Sequence, residues 1–185
     1  MNYYLLFEKF EDGEGIFTIQ QPWCQVLNFY TPQSKLFKKR PYLAINEGYK
    51  ERGMSDFLKV GVGMLASKKV QQIFFENGFS GIQFLPVDIR NDGDSSEYAF
   101  INATAHYDFL DPVASEAEDL SKTLGGYTSV LEEVLDIEKF RATIIEHDCF
   151  TLSTYKDPYY VSEKVKNALV VAGVTGIEFI PMEFS

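Results

Sequence analysis

The segment Ser67–Ile89, SKKVQQIFFENGFSGIQFLPVDI, occurs a second time as Ser162–Phe184, SEKVKNALVVAGVTGIEFIPMEF, in an ungapped alignment at an offset of 95 residues. The shared positions include an initial serine, two glycines and a proline: Ser67/Ser162, Gly78/Gly173, Gly81/Gly176 and Pro86/Pro181. Two copies are too few for a stacked repeat protein, which needs about three or more units. The duplication therefore predicts two pseudo-symmetric halves within one compact domain.

Each copy has the pattern of a helix followed by a strand. Ser67 is a typical helix N-cap, and the apolar residues after it recur on one helical face. Gly78 and Gly173 stand where a left-handed residue often ends a helix, which limits each helix to about three turns. The strand after Gly81 has apolar side chains on both faces, so both faces must be covered. We therefore predict a single α+β domain over residues 1–185, with halves of about 1–95 and 96–185.

Further elements are predicted from local patterns. Strands are expected at 3–10, 16–20, 23–30, 98–104 and 149–155. The polar stretch Asn91–Ser96 is expected to separate the halves, and Pro112–Lys122 to form a short acidic helix. Pro86 and Pro181 cannot donate a backbone hydrogen bond, which places them at a strand end, a bulge or a sheet edge.

The composition is typical of a soluble globular protein, with 45% hydrophobic and 15% aromatic residues in a chain of 185. The N-terminal sequence has no basic start, and no apolar stretch approaches the roughly 20 residues of a membrane span. Two cysteines, Cys24 and Cys149, are too few for a disulfide framework or a metal cluster. We expect a cytoplasmic protein with free thiols, no membrane association and no cofactor.

The charge is distributed unevenly along the chain. Residues 1–60 carry eight Lys and Arg against seven Asp and Glu, whereas residues 61–185 carry nine against twenty. Thirteen of the acidic residues lie between Asp88 and Glu138, where only Arg90 and Lys122 are basic. Nucleic-acid binding needs a cationic surface, so we expect no nucleic-acid partner. Such an acidic field attracts a basic protein surface, although solvated acidic loops that maintain solubility give the same composition.

The pattern S-x-K-V, followed eight residues later by G-x-x-G-I-x-F-x-P, resembles the immunity protein 11 family of bacterial polymorphic toxin systems, formerly a domain of unknown function. Tyr3–Leu6, Asp56–Leu58 and Tyr98–Asp111 agree with this resemblance, which covers nearly the whole chain. It implies an antitoxin that is not an enzyme and that binds a cognate toxin or effector protein made by the same cell. Families of this kind carry no catalytic motif, so the resemblance transfers no functional residue.

Two other classes of function fit parts of the sequence. His147 and Cys149 could share one face of a strand as the base and nucleophile of a small enzyme, but no recognised catalytic motif contains them. With His106 and His147 as the only histidines, a zinc site would need carboxylates for its remaining ligands, so we expect no metal. The duplication could also belong to a ligand-binding or structural module.

The leading hypothesis is a toxin–antitoxin interface of ordinary size, about 1,600 Å² in total, with aromatic anchors inside an acidic rim. Because the negative charge is concentrated between residues 88 and 138, the predicted contact residues come from that segment. They are Tyr107, Phe109, Asp111, Glu116, Glu118, Asp119, Tyr127, Glu132 and Glu133.

Overall fold

The structure is a computed structural model that describes residues 2–9, 17–21, 42–45, 54–60, 63–91, 94–121, 125–155 and 158–185. The strand expected at 23–30 and Cys24 lie outside these residues. The described residues form an α+β fold, as the duplication predicted. The strands are β1 (Tyr3–Glu8), β2 (Phe17–Gln21), β3 (Tyr42–Ile45), β4 (Phe57–Val60), β5 (Gly63–Ser67), β6 (Ile82–Asn91), β7 (Asp94–Ala103), β8 (His106–Tyr107), β9 (Glu118–Ser121), β10 (Gly126–Ser129), β11 (Val134–Leu135), β12 (Cys149–Leu152), β13 (Tyr159–Ser162), β14 (Ile177–Pro181) and β15 (Glu183–Phe184). The helices are α1 (Lys68–Asn77), α2 (Ile137–Ala142) and α3 (Glu163–Val171).

Most of the strands belong to two large sheets. One is a closed sheet with the strand order β2-β3-β6-β7-β5-β4, and the other has five strands in the order β14-β1-β13-β12-β8. Both contain the same four-strand pattern, β4-β5-β7-β6 in the closed sheet and β12-β13-β1-β14 in the five-stranded sheet. In each pattern, the strands before and after the repeat helix flank a third strand that is antiparallel to both. We call these patterns, each with its helix, unit 1 (with α1) and unit 2 (with α3).

The third strand of each unit comes from a different part of the chain. In unit 1 it is β7, which follows β6 directly, whereas in unit 2 it is β1, the first described strand. The strand pairing therefore does not follow the expected halves, 1–95 and 96–185. The polar stretch Asn91–Ser96 does not separate two halves either, because β6 and β7 pair as far as Asn91 and Asp94.

Both repeat helices begin and end as the sequence predicted. In α1, the Ser67 Oγ accepts a hydrogen bond from the Val70 N–H at 3.4 Å, and Gly78 has a φ of 64°, in the left-handed region. The Phe79 N–H then donates back to the Phe74 carbonyl oxygen at 3.1 Å, which closes the helix end. The equivalent residues at α3 are Ser162, Val165, Gly173, Val174 and Leu169.

The two repeat prolines also lie where the missing backbone donor is tolerated. Pro86 faces Ala99 of β7, before β6 begins to pair with β3 at Asp88. Pro181 is the last residue of β14, which is the terminal strand in the order of the five-stranded sheet. Pro181 agrees with the expectation of a strand end, a bulge or a sheet edge, whereas Pro86 lies inside β6 of the closed sheet, at a position that has no partner in β3.

The helix predicted at Pro112–Lys122 is wrong. Residues 112–116 form a turn, and the chain then continues as β9, which pairs with β10. The Asp111 Oδ1 accepts hydrogen bonds from the backbone N–H groups of Val113 and Ala114 at 3.0 Å each, which starts the turn. Glu116 then adopts a φ of 45°, and a left-handed residue of this kind cannot continue a helix.

A carboxylate joins the start of each repeat helix to the other unit. In unit 1, the Asp56 Oδ1 accepts a hydrogen bond from the Ser67 hydroxyl at 2.8 Å. The Asp56 Oδ2 accepts from the backbone N–H of Thr175 at 3.1 Å and from its hydroxyl at 3.4 Å, and Thr175 belongs to the loop of unit 2. Asp56 therefore holds its own helix cap and the loop of the opposite unit together.

Asp148 makes the reciprocal set of contacts. Its Oδ1 accepts from the hydroxyl of Ser162, the N-cap of α3, at 3.3 Å. Its Oδ2 accepts from the backbone N–H of Ser80 at 3.2 Å and from the Ser80 hydroxyl at 3.3 Å. Ser80 and Thr175 are equivalent residues of the repeat. The aspartate of each unit therefore binds the same repeat position in the other unit. We call these two sets of contacts the aspartate clamps.

Two hydrophobic cores lie on opposite faces of the five-stranded sheet. The central core contains Val161 of β13, Val70 of α1 and Leu169 of α3, together with residues of the closed sheet. The outer core contains Tyr160 and the buried Phe150. Neighbouring residues of a strand point to opposite faces, so Tyr160 and Val161 of β13 place the two cores on the two sides of the sheet.

Removal of an aspartate clamp should weaken the whole fold. Because β1 lies between β13 and β14, and the clamps join the units, we propose that residues 1–185 form one domain that unfolds in a single transition. Asp148→Ala should lower the free energy of unfolding by about 2 kcal/mol, since it removes hydrogen bonds to a charged acceptor. Urea unfolding followed by circular dichroism and by fluorescence measures both expectations.

The matched control is Asp108→Ala, which removes an exposed carboxylate paired with Lys139 at 3.3 Å. Such surface pairs contribute less than about 1 kcal/mol. Equal losses in Asp108→Ala and Asp148→Ala, or two separate transitions in the unmodified chain, would contradict the role given to the clamps.

The loss of stability on alanine substitution of a repeat glycine should depend on the space around that glycine. Alanine at Gly78 meets no atom within 4 Å, so Gly78→Ala should cost about 1 kcal/mol, the price of a left-handed residue with a side chain. A Cβ at Gly81 would collide with the carbonyl oxygen of Cys149 in the opposite unit, so Gly81→Ala should cost about 3 kcal/mol or more. Thermal melts of both variants test the order, and a Gly78 variant as unstable as the Gly81 variant would contradict it.

Candidate functional site

One end of the outer core lies open at Phe7. Tyr3, Leu5 and Phe7 share one face of β1 because successive side chains of a strand alternate. Residues 105–145, which we call the cover segment, contribute most of the other residues of the outer core, to which Tyr3 and Leu5 belong. Phe7 is 42% exposed, whereas Tyr3 and Leu5 are buried. The described part of the cover segment therefore stops short of this end of the sheet.

A cleft lies beside Phe7 at this open end. It consists of two adjoining hollows, with volumes of about 230 and 250 Å³, that share Leu5, Phe7 and Glu133 as lining residues. The first hollow extends towards unit 1 and is also lined by Glu8, Met64, Tyr155 and Tyr159. The second hollow extends over β14 and is also lined by Leu131, Glu132, Tyr160, Ile180, Met182 and Glu183. We call the two hollows together the Phe7 cleft.

The Phe7 cleft combines apolar surface with negative charge. The second hollow has three carboxylates, those of Glu132, Glu133 and Glu183, and neither hollow has a Lys or Arg among its described lining residues. Leu131 at its border is 70% exposed. Large exposed apolar side chains next to a charged rim are typical of protein-binding sites. The geometry therefore suits a partner with basic and apolar groups.

Tyr160 is a lining residue of the second hollow, and its hydroxyl is buried. It is 1% exposed, and its hydroxyl has no hydrogen-bond partner among the described residues. Burial raises the pKa of this hydroxyl, and the negative charge of Glu133 raises it further. The hydroxyl is therefore neutral at physiological pH and keeps both its donor and its acceptor capacity.

The three predicted aromatic contact residues pack in the outer core, and Phe109 is fully buried there. Phe109 is 1% exposed, stacks on Tyr107 at a centroid distance of 5.1 Å and meets Phe150 edge-on. Tyr107 is half-buried, and its hydroxyl lies 2.9 Å from the Nδ1 atom of His147. Tyr127 is also half-buried and packs against the same core. Buried packing excludes Phe109 as a direct contact in this conformation.

The predicted acidic residues fall into several groups. Glu132 and Glu133 line the Phe7 cleft. Glu116 is exposed on the turn beside Ser115, whose carbonyl oxygen accepts a hydrogen bond from the N–H of Leu131 at 3.2 Å. That bond holds the turn next to the Leu131–Glu133 loop. Glu118 and Asp119 follow in β9, and the Glu118 side chain is exposed.

Asp111 has a structural role that the sequence did not predict. Hydrogen bonds to its carboxylate, first of all from the Ala114 N–H, hold the pKa of Asp111 below its usual value. The carboxylate therefore stays ionised at neutral pH and stabilises the turn at 112–116. This bond pattern gives Asp111 a role in the turn, and its predicted contribution to toxin binding stays a prediction.

Sequence reasoning missed Phe7, Leu131, Tyr160 and Met182. These residues come from β1, the loop before β11, β13 and the end of β14, so no local stretch contains them together. The signal available in the sequence was the apolar Leu131 next to the acidic pair Glu132–Glu133.

The candidate nucleophile of the enzyme hypothesis is a core residue. Cys149 is 1% exposed, and burial raises the pKa of its thiol well above its ordinary value, with the charge of Asp148 adding to the effect. A nucleophilic cysteine needs the opposite shift, towards the thiolate. His147 is instead positioned by its contact with Tyr107, and His106 Nε2 lies 3.1 Å from the Ala103 carbonyl oxygen.

Comparison with known proteins adds the family of the chain. The model of the Immunity protein family (Imm11) matches residues 13–183. No curated protein matches the chain. Where the structure describes the chain, it contains no helix that is long and apolar enough to cross a membrane, and no cluster of three or more His, Cys, Asp or Glu side chains that could hold a metal ion.

The buried thiol leads to a direct test of the enzyme hypothesis. In a Cys24→Ser variant, which leaves Cys149 as the single cysteine, we expect a thiol reagent such as DTNB to react only after unfolding in urea. The raised pKa keeps the thiol protonated, and its burial prevents contact with the reagent. Fast stoichiometric labelling of the folded variant at pH 8 would show an accessible thiolate and contradict the core assignment.

Proposed function

The chain belongs to the Imm11 immunity protein family, and on this basis we propose that it is a cytoplasmic antitoxin that binds and neutralises a cognate bacterial toxin. In a polymorphic toxin system, the cell that makes the toxin also makes such a protein. Neutralisation by binding needs a surface that covers part of the toxin. It needs no catalytic group of its own.

The Phe7 cleft is the observation that supports one particular surface as the toxin-binding site. Its concave shape, the exposed Phe7 and Leu131 side chains, and the acidic border of Glu132, Glu133 and Glu183 are the features of an anchor pocket within a charged rim. The second hollow occupies one end of the outer core, where the described part of the cover segment leaves the sheet accessible. We propose that the toxin docks here.

The exposed carboxylates around the cleft extend the same negative field. Glu116 lies on the turn that is bonded to the Leu131 backbone, and Glu118 follows at the start of β9. Acidic groups of this kind attract a basic partner and raise its association rate. We propose that they face a basic toxin surface, as they would if the antitoxin occupied a site built for an anionic substrate.

Co-expression tests the function itself. The polypeptide encoded immediately upstream of this chain should stop the growth of a bacterial host when it is expressed alone, and growth should return when both are expressed. The purified pair should elute as one complex. Growth arrest that this chain does not relieve, with no complex formed, would refute the proposal.

Charge reversal tests the surface. The variant Glu116→Lys, Glu118→Lys, Glu132→Lys should bind the same polypeptide at least about tenfold more weakly, and its remaining affinity should depend less on salt. All three side chains are exposed, so the fold should persist. Titrations at two ionic strengths measure both effects.

The matched control carries the same change of net charge elsewhere, as Glu76→Lys, Glu97→Lys, Glu163→Lys. These three residues are exposed on α1, β7 and α3 and lie outside both hollows. Equal affinities and equal salt dependence for the two triple variants would mean that only the net charge of the antitoxin matters, and that the Phe7 cleft is not the interface.

A further inference from the structure

We propose that the outer edge of β14 binds an extended segment of the toxin, which adds to the five-stranded sheet as a further strand. This inference rests on the proposed function, because it names the kind of segment that the toxin contributes beside the Phe7 cleft. Four observations support it: the position of β14 in the sheet, the direction of its backbone groups, the course of the chain next to it and the side chains along it.

β14 is the terminal strand of the five-stranded sheet, so β1 pairs with only one of its two edges. The Lys9 N–H donates to the Gly176 carbonyl oxygen at 3.0 Å, which makes these two residues a hydrogen-bonded pair. Such pairs recur at every second residue of an antiparallel ladder. The backbone groups of Glu178 and Ile180 therefore also point towards β1.

The residues between them direct their backbone groups to the outer edge. Ile177 and Phe179 each present an N–H and a carbonyl oxygen there, and the part of the chain that the structure describes places no strand on that side of β14. Pro181 has the same direction but has no N–H. A row of donors and acceptors along the edge of a strand is the surface that another extended segment binds.

The edge is open because the neighbouring chain turns away from it. β11 pairs with β15 from Val134 onwards, and a longer β11 would run back along β14. Instead, the Val134 N–H donates to the Glu132 carbonyl oxygen at 3.1 Å, and the Leu131 N–H donates to the Ser115 carbonyl oxygen at 3.2 Å. The second hollow separates this loop from the end of β14. An added strand would take the place that β11 leaves empty.

The side chains along the edge select the chemistry of the segment. Ile180 packs against the outer core, and Glu178, two residues away, shares its face of the sheet. Glu178 is exposed and lies opposite Phe7 of β1. Residues directly opposite each other on neighbouring strands interact, and opposite charges there are favourable. We therefore expect a basic side chain opposite Glu178 and an apolar one opposite Ile180, above the second hollow.

Unit 1 offers the same backbone edge without the cleft. Ile82 and Phe84 of β6 repeat the outward residues of β14, and β3 reaches β6 only at Asp88. Leu85, the equivalent of Ile180, is 1% exposed, whereas Ile180 is half-buried. A segment at β6 would therefore find little apolar surface to cover. The β6 edge is a control within the same molecule.

Amide hydrogen exchange tests the edge residue by residue. In the free protein, the N–H groups of Ile177 and Phe179 should exchange faster than those of Glu178 and Ile180, because only the second pair is bonded to β1. In the complex with the upstream-encoded polypeptide, exchange at Ile177 and Phe179 should slow at least about tenfold, since both groups gain an acceptor. NMR spectra of the isotope-labelled antitoxin measure these rates.

The matched control comes from the same spectra. Ile82 and Phe84 should keep their exchange rates when the complex forms. Equal slowing at both edges, or no slowing at Ile177 and Phe179 in a complex that does form, would overturn the proposal. Slowing that increases with the concentration of the antitoxin alone would show that a second copy occupies the edge, and would overturn it as well.

A pair of variants isolates one backbone donor. Phe179→Pro and Phe179→Val both remove the ring that packs against the central core, but only the proline variant also removes the outward N–H. The two variants should have similar melting temperatures. The proline variant should bind the upstream-encoded polypeptide at least about tenfold more weakly than the valine variant. Calorimetric titrations measure both affinities, and equal values would overturn the proposal. If the proline variant does not fold, the exchange rates of the unmodified chain decide.

These experiments separate this inference from the proposed function. If the upstream-encoded polypeptide forms a complex in which the exchange rates of Ile177 and Phe179 do not change, the antitoxin function stands and the added strand is refuted. If no complex forms with the unmodified chain, the antitoxin function fails, and the added toxin strand fails with it.

Discussion

The rest of the structure depends on the two aspartate clamps, which make equivalent contacts in opposite directions between the two units. Asp56 and Asp148 each bind the N-cap serine of their own helix and the loop of the opposite unit. A single charged group therefore fixes where a helix begins and how the units face each other. The two loops approach so closely that the next residue, Gly81 or Gly176, has no room for a Cβ, which would collide with the carbonyl oxygen of Cys149 or Phe57. With the units held in this way, one face of the five-stranded sheet packs in the central core, and the other is left for the cover segment.

The sequence predicted the parts of this arrangement that local geometry determines. Ser67, Gly78 and their equivalents signal a capped helix wherever they occur, because the signal is a backbone requirement. The identity of the third strand in unit 2 could not be predicted in this way, because β1 pairs with β14 although almost the whole sequence lies between them. The equivalence of Asp56 and Asp148 was hidden for a simpler reason. Asp56 precedes its helix cap by a shorter stretch than Asp148 precedes Ser162, so the two carboxylates fall outside an ungapped alignment.

The candidate site shows the limit of composition as a guide to an interface. The acidic segment predicts contact residues from charge alone, and two of them, Glu132 and Glu133, line the Phe7 cleft. Asp111 carries the same charge, but its carboxylate accepts hydrogen bonds from the backbone of a turn. Tyr107 and Phe109 alternate with polar residues like surface anchors, yet both pack against Phe150. An aromatic side chain has the same pattern in a core and in an interface, and only the cover segment above it decides which of the two it occupies.

Tyr159 and Tyr160 show how alternation along one strand gives neighbouring tyrosines different surroundings. They are neighbours in β13 and are both buried, but alternation places them on opposite faces of the sheet. On the central face, the Tyr159 hydroxyl completes a hydrogen bond to Ile101 of β7, which ties unit 2 to unit 1. On the outer face, the Tyr160 hydroxyl is buried in the outer core and has no hydrogen-bond partner among the described residues. Compared with phenylalanine, this hydroxyl destabilises the fold, because it loses its hydrogen bonds to water and gains none inside the protein. Neighbouring positions of one strand therefore differ in what they contribute to stability, because the face of the sheet decides whether a buried hydroxyl meets an acceptor.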